Sequence, residues 1–291
     1  MVHAQGTALG FSETAVSSLD CAAARGRLDR KRRSLNICLV VIAHRVHERL
    51  PLIVAGNRDE FHARPTQDAH WWPVDSGDLQ TLGGRDSQAG GTWLALARNG
   101  RFATVTNYRD ALPPAGDLRS RGELVTNFLS SALSPVDYVN SLEGDLYAGF
   151  NLVVIDGGQA AYASNRGAGT TELEPGVYGV ANATLDTPWE KVERSKSRLN
   201  ALIGEDSVDE SHLFNLLGDR QKASASEVKS SRLPFEKAHA MTSPFIVQAD
   251  YGTRCSTVVL RDAGGHVRFS ELRFLPDGRN SGRSDFEFLV A

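Results

Sequence analysis

The stretch NICLVVIAHRVHERLPLIVAGNRDEF, residues 36–61, decides how this chain folds. Two short runs, Cys38–Ala43 and Leu52–Gly56, are rich in Val, Ile and Leu, and a polar connector, His44–Pro51, separates them. Short β-branched runs joined by a polar, proline-containing loop read as an antiparallel hairpin. The midpoint of the connector falls near residue 47–48. Cys38 is therefore expected opposite Gly56 or Asn57, within a residue or two, because sequence specifies register loosely. The second run ends abruptly in Asn57-Arg58-Asp59-Glu60, where the strand is expected to leave the core. The hairpin thus sets a thiol beside an amide, a guanidinium and two carboxylates.

Further hairpins follow along the chain. GTWLALARNGRFATVTNYRD (residues 91–110) has two apolar-rich runs flanking Asn99-Gly100, a pair that tolerates positive φ. FNLVVIDGGQAAYAS (150–164) turns around Asp156-Gly157-Gly158, and STVVLRDAGGHVRFSELRFL (256–275) forms a last hairpin. VYGVAN (177–182) is a short strand. Leu118–Leu133 reads as a helix with Leu124, Val125, Phe128 and Leu129 on one face. Trp189–Ile203 reads as a charged amphipathic helix entered through Pro188, and His212–Leu217 belongs to another. Pro65–Gly91, with Trp71-Trp72-Pro73 and LGGRDSQAGG, reads as a loop-rich passage, and Gln221–Ser231 as a polar loop. Antiparallel hairpins with interleaved helices give an α+β architecture, read as two sheets packed face to face and covered by helices.

The chain has 291 residues, 41% hydrophobic and 23% charged, with a formal net charge of −3. That composition suits a globular protein and points away from nucleic acid as a partner. No apolar run approaches the roughly 20 residues of a membrane-spanning helix, so no integral membrane segment is expected. Three cysteines, Cys21, Cys38 and Cys255, do not make a disulfide framework, and a reducing compartment, the cytoplasm, is expected. Residues 1–35 are rich in Ala, Ser and Arg and lack sustained periodicity. They read as a disordered or non-native extension before a single domain, 36–291.

A cysteine becomes a nucleophile where a base or a positive neighbour favours its thiolate. Arg58 is a plausible electropositive partner for Cys38, and Asp59 can orient it. An N-terminal α-amine, titrating at about 7.7–8.0, would suit as the general base. Taken one at a time, the same residues read as inert core (Cys38), turn formers (Asn107, Asn182) and a surface charge (Arg254). Their shared position at strand ends is what makes one cleft conceivable.

Seven segments in order carry a resemblance: NICLVV…VAGNRDEFHARPT, LGGRDSQAGGTWLAL, GRFATVTNYRD, RGELVTNFL, YAGFNLVV, YGVANATLDTPWEKV and YGTRCSTVVL. From about Cys38 onward the chain resembles the NRDE-motif family, also called the transport-and-Golgi-organisation family. The resemblance implies an N-terminal nucleophile (Ntn) hydrolase-like fold, a four-layer αββα sandwich of two mainly antiparallel sheets. Members commonly begin Met-Cys, which Cys38 matches once the preceding residues are released. Arg58 and Asp59 are similar to an Arg-Asn-x-Asp run in the choloylglycine-hydrolase and penicillin-acylase branch. Asn107 and Asn182 resemble two asparagines of that branch, and Arg254 resembles a late arginine.

The implied reaction is cleavage of a linear amide or related acyl bond of a small molecule. Cys38 would be nucleophile and, through its α-amine, base. Asn107 (main chain) and Asn182 (side chain) would donate to the oxyanion, Arg58 and Asp59 would hold the nucleophile, and Arg254 would favour the charged intermediate. No cofactor or metal is required by that scheme. The alternative is a non-catalytic carrier of haem or a lipid-like hydrophobic ligand, for which His44, His47, His62 and His70 with Trp71 and Trp72 are candidate contacts.

Overall fold

The structure is a computed structural model that describes Met1 and residues 38–73, 80–109, 118–167, 169–228 and 234–290. The chain divides into two compact units between Ser34 and Leu35, and the elements below belong to the second, Leu35–Ala291. Apart from Met1, the expected extension 1–35 lies outside the described residues, as do residues 229–231 of the expected polar loop.

The strands are β1 Leu39–His44, β2 Leu52–Phe61, β3 Thr66–Trp71, β4 Thr81–Asp86, β5 Leu94–Ala97, β6 Phe102–Asn107 and β7 Phe150–Asp156. They continue with β8 Gln159–Ser164, β9 Thr170–Glu172, β10 Gly176–Val180, β11 Tyr251–Arg261, β12 His266–Phe274 and β13 Asn280–Leu289. The helices are α1 Gly122–Ser130, α2 Pro135–Asn140, α3 Glu190–Gly204, α4 Glu210–Leu217 and α5 Phe235–Ala240. One sheet has the order β10-β1-β2-β11-β12-β13; the other runs β3-β4-β5-β6-β7-β8-β9. All strand pairs in both sheets are antiparallel.

Three apolar clusters define four layers. Val40, Ile42, Leu52 and Val54 of the first sheet meet Leu82, Leu94, Leu96, Phe102, Val153 and Ile155 of the second. On the outer face of the first sheet, Val41, Ala43, Ile53 and Ala55 pack under Leu199 of α3 and Leu213, Leu216 and Leu217 of α4. On the outer face of the second, Ala103, Leu152 and Val154 pack under Leu124, Val125, Phe128 and Leu129 of α1 and Tyr138 and Val139 of α2. The architecture is therefore αββα, the α+β arrangement expected.

The hairpin of β1 and β2 forms as read, with Cys38 within the expected residue or two of its partner, but the end of β2 departs from the reading. The motif Asn57–Glu60 does not leave the core: it lies within β2, and all four residues are buried. The strand stays inside because β11 pairs with β2 along its whole length, from Tyr251↔Phe61 to Arg261↔Leu52. Register is Leu39↔Asn57 and Val40↔Gly56, so one further step sets Cys38 opposite Arg58. Since β1 and the start of β2 are apolar on both faces, hydrophobicity alone would accept a one-residue slip. The polar tail forbids it, because Asn57 and Asp59 must meet groups on the helical side while Arg58 meets the other sheet.

Pro65–Gly91 is not simply loop; it contains β3 and β4. The expected helix over 118–133 is shorter, and α2, α5, β9 and β13 add elements to the reading. Gly91 and Gly122 explain part of the glycine-rich passage. A Cβ on Gly122 would stand 2.8 Å from the Thr92 nitrogen, and one on Gly91 would stand 2.6 Å from the Gly122 carbonyl carbon. Two backbones touch there, where α1 begins. Gly122→Ala is expected to cost about 1–3 kcal/mol by overpacking, read as a lower urea midpoint at an unchanged slope.

Candidate functional site

One row of residues crosses the first sheet. The β10–β1 register ends at Val40↔Val180, and beyond it Leu39 packs in one cluster with Ala181, so Asn182 follows at the Cys38 end of that edge. The β1–β2 register sets Cys38 beside Arg58. Arg58 pairs with Cys255, and Cys255 with Arg273. The row reads Cys38, Arg58, Cys255, Arg273, with strands about 4.8 Å apart.

Cys38 is buried, and burial is the main force on its thiol, followed by the Asp59 carboxylate. The Asp59 main-chain N–H and the Arg58 charge oppose them, but the pKa is pushed up to about 12. With a peptide bond on its nitrogen, Cys38 is thus a neutral thiol at physiological pH. Asp59 is 0% exposed, and its Oδ1 accepts a 2.6 Å hydrogen bond from Thr253 Oγ1. Burial raises its pKa to about 7 against three groups that favour the carboxylate: Lys191 first, then Thr253 and Arg58.

Arg58 and Asn57 face opposite ways. The Arg58 guanidinium carbon sits 4.4 Å over the Trp93 ring, and its Nη2 lies 3.7 Å from Glu60 Oε2 and 3.8 Å from Asp86 Oδ2. Asn57 Nδ2 donates to the carbonyls of Leu217 and Pro244, each at 2.9 Å, and its Oδ1 accepts from Ser256 Oγ at 2.6 Å.

The two asparagines expected at the oxyanion position come together across the seam between the sheets. Asn182 Nδ2 donates to the Asn107 carbonyl at 2.6 Å, and Thr106 Oγ1 donates to the Ala181 carbonyl at 2.6 Å. Main-chain N–H groups alternate sides along a strand. Since Val105 N donates to Trp93 O and Tyr108 N to Gly149 O, the Asn107 N–H points to the β5 side of β6, away from β7. Arg254 is the extra residue where the β2–β11 register shifts between Thr253 and Cys255. Its Nη1 donates to the carbonyls of Phe61 (3.0 Å) and Arg64 (3.1 Å), on the Arg58 side of the row and two strands from Cys38. The structure therefore gathers Cys38, Arg58 and Asp59 directly, brings Asn107 to Asn182 at the same end of the β1 edge, and sets Arg254 beside Arg58, not beside the thiol.

Sequence reading missed Lys191, Thr253 and Trp93. Lys191 is 1% exposed and shares the buried face of α3 with Val192, Ser195 and Leu199. Val192 packs on Leu39 and Ala181, the neighbours of Cys38 and Asn182 in sequence. The available signal was a lysine standing in the inward stripe of an amphipathic helix.

The four histidines named for a haem-type ligand lie apart in their contacts. His44 is buried at the far end of β1, and His47 Nε2 lies 3.1 Å from Asp206 Oδ1. His62 Nε2 is 3.1 Å from the Gln248 carbonyl and His70 Nδ1 is 2.7 Å from the Asp68 carbonyl. Trp71 and Trp72 carry guanidiniums over their rings, Arg98 at 5.0 Å and Arg85 at 4.7 Å. Among the described residues no group of three or more His, Cys, Asp or Glu side chains could hold a metal ion, and no helix is long and apolar enough to cross a membrane.

A family model described as Transport and Golgi organisation 2 matches residues 37–276. The chain belongs to that family. It is 37% identical over 238 residues to the Transport and Golgi organization protein 2 homolog of Homo sapiens, covering 76% of this chain and 85% of the relative. The Transport and Golgi organization protein 2 of Drosophila melanogaster is 30% identical over 243 residues, covering 76% of this chain and 85% of the relative. Two solved structures are similar at low identity. One is a mutant conjugated bile acid hydrolase from Clostridium perfringens, with 9% identity, 87% of this chain and 97% of that chain covered, and a TM-score of 0.48. The other is the Caenorhabditis elegans ortholog of N-acylethanolamine-hydrolyzing acid amidase, with 12% identity, 77% and 92% covered, and a TM-score of 0.44. In this member of the Transport and Golgi organisation 2 family, the Asn-Arg-Asp-Glu motif divides its work. Asn57 ties the strand to α4 and the segment before β11, whereas Arg58 and Asp59 set the field around Cys38.

Proposed function

We propose that this protein is a cysteine hydrolase of the N-terminal nucleophile type, acting on a linear amide or related acyl bond of a small molecule. The observation that supports the reading is Cys38 beside Arg58, with the Asp59 N–H directed at its sulfur and the Asn182–Asn107 pair at the same end of the sheet. A neutral thiol with a pKa of about 12 needs a base close by. Cleavage of the Ile37–Cys38 peptide bond would supply one, an α-amine titrating near neutrality. Cys38 Sγ then attacks the carbonyl carbon while its proton passes to the α-amine and on to the leaving amine. The thioester formed is hydrolysed by water, which gives its proton to the same amine; the acid leaves and the thiol is restored. Oxyanion charge would be met by the Asn107 N–H and the Asn182 side-chain amide, a placement worth about 3 kcal/mol per donor. The free thiols of Cys38 and Cys255 support a reducing compartment, and the cytoplasm is the proposed location.

The test joins mass and activity. Protein purified from its native host is expected to have a mass that begins at Cys38, and that species is expected to hydrolyse a fluorogenic N-acyl aminocoumarin. Cys38→Ala is expected to fold normally and lose all turnover. Equal turnover in Cys38→Ala overturns the reading. A chain that keeps residues before Cys38 in the cell and hydrolyses nothing does the same, and leaves the carrier of a hydrophobic ligand as the reading to pursue.

A further inference from the structure

The row does not stop at Arg58. Beyond it lies a cleft of about 230 Å³ lined by Arg58, Arg254, Arg273, Trp93, Cys255 and Glu271, among others. Three guanidiniums share one wall of a cleft that none of the catalytic steps uses. Arg58 is flattened on Trp93, and its buried Nη1 has no hydrogen-bond partner among the described residues. Arg254 is steadied by two main-chain carbonyls through one nitrogen, Nη1. Arg273 is held by Asp68 (3.1 Å) and by Ser284 Oγ (2.6 Å).

Two carboxylates also line the cleft, Asp68 and Glu271. Asp68 is engaged by Arg273. Glu271 is 1% exposed, accepts from the Ala69 N–H at 2.9 Å and bonds the Cys255 thiol, and its burial disfavours the charged form. Glu60 and Asp86 stand 3.7 and 3.8 Å from Arg58 Nη2, Asp86 being matched by Arg64 at 2.7 Å; the lining itself, three guanidiniums against Asp68 and a Glu271 whose charged form burial disfavours, keeps a positive balance. Planar guanidiniums fixed by carbonyls and by an aromatic face are suited to bidentate recognition of an oxyanion.

We propose that the cleft walled by Arg58, Arg254 and Arg273 is a recognition subsite for an oxyanion, a carboxylate or a phosphate, carried by the substrate about 10 Å from the bond that Cys38 attacks. The distance is two strand spacings, from Cys38 to Cys255 at the cleft floor. The inference rests on the hydrolase reading for the position of the scissile bond, and on the cleft alone for the anion. The substrate is thus a linear amide with a terminal anion, and a neutral amide of the same length is a poor one.

The experiment is isothermal titration calorimetry on the full chain carrying Cys38→Ala, which removes the nucleophile and keeps the cleft. The probes are nonanamide, the monoamide of nonanedioic acid, an ω-phosphorylated octanamide, and succinamic acid as a short control. The two long anions are expected to bind at least tenfold more tightly than nonanamide and succinamic acid, and the tighter of them identifies carboxylate or phosphate. Arg254→Gln and Arg273→Gln are each expected to erase that margin, with Arg273→Lys restoring part of it should Arg273→Gln fail to fold. Equal binding of all four probes, or a margin that survives Arg254→Gln and either Arg273 variant, overturns the proposal. Wild-type turnover separates the two readings. Anion-selective binding without hydrolysis keeps the cleft and removes the hydrolase; equal hydrolysis of nonanamide and the monoamide keeps the hydrolase and removes the cleft.

Discussion

Lys191→Met is expected to lower the unfolding free energy at pH 8 by about 1.4 kcal/mol more than at pH 5, since a carboxyl group with a pKa of about 7 escapes an uncompensated charge by taking up a proton, at about 1.4 kcal/mol per pH unit above that pKa. At pH 5 the same change is expected to cost no more than about 1 kcal/mol, because the partner is then neutral. The contrast follows from Asp59, whose pKa in the folded protein is about 7 against an ordinary 3.8. A carboxyl group with a raised folded pKa keeps its proton longer in the folded state. Its favourable contribution is complete below about pH 4 and is lost as pH rises through 7. Lys191, the largest influence favouring the ionised form, limits that loss. A cation in the first turn of α3 is itself placed against the helix dipole, and the nearby Asp59 carboxylate offsets part of that cost. Urea unfolding at the two pH values is the measurement. An equal loss at pH 5 and pH 8 would show that Lys191 contributes packing and no charge.

Asn57→Ala is expected to lower stability by about 4 kcal/mol, since each buried group left without its hydrogen bond costs about 1–3 kcal/mol and such losses add incompletely. The side chain satisfies the carbonyls of Leu217 and Pro244 and the hydroxyl of Ser256, all away from bulk water. Leu217 is the last residue of α4, where carbonyls lack helical partners, so the amide caps that helix from a strand. Asn57→Asp is expected to be at least as damaging, because a carboxylate would face two carbonyl oxygens. The check is the denaturation midpoint of both variants beside Arg58→Lys, which keeps the strand's alternation. A loss below about 1 kcal/mol for Asn57→Ala would mean that water replaces the amide, contrary to its burial.

How much of this was legible in the sequence depends on periodicity. The hairpins around residues 44–51, 99–100 and 157–158 were readable because turn chemistry separates apolar runs of strand length. The α1 face was readable because Leu124, Val125, Phe128 and Leu129 recur at helical spacing. β3, β4 and β13 were not, since their exposed or half-buried polar residues carry no alternation strong enough to distinguish strand from loop. At the candidate site, the ordered motifs singled out Cys38, Arg58, Asp59, Asn107 and Asn182, of which Cys38, Arg58 and Asp59 interact with one another, as do Asn107 and Asn182. The fate of Asn57–Glu60 was not: a polar run inside a sheet looks like an exit from the core unless its partners, which arrive some 200 residues later on β11, are known. Lys191 was hidden for the same reason, since its value depends on a carboxylate more than 130 positions upstream.

The strand orders also say something about how the molecule comes into being. The sheet β3 to β9 is a meander in which each strand pairs with its predecessor, so it can close as the chain is made. The other sheet joins strands from both ends of the domain, with β1 and β2 waiting for β10 and then for β11 to β13. Contacts that far apart in sequence form late, after the intervening chain has lost its freedom. The row that contains Cys38 is complete only when Arg273 has left the ribosome and docked. A chain that stops short of β11 can hold the meander sheet, yet it lacks Thr253, the hydrogen-bond partner of Asp59, and the paired strand that keeps Asn57–Glu60 inside.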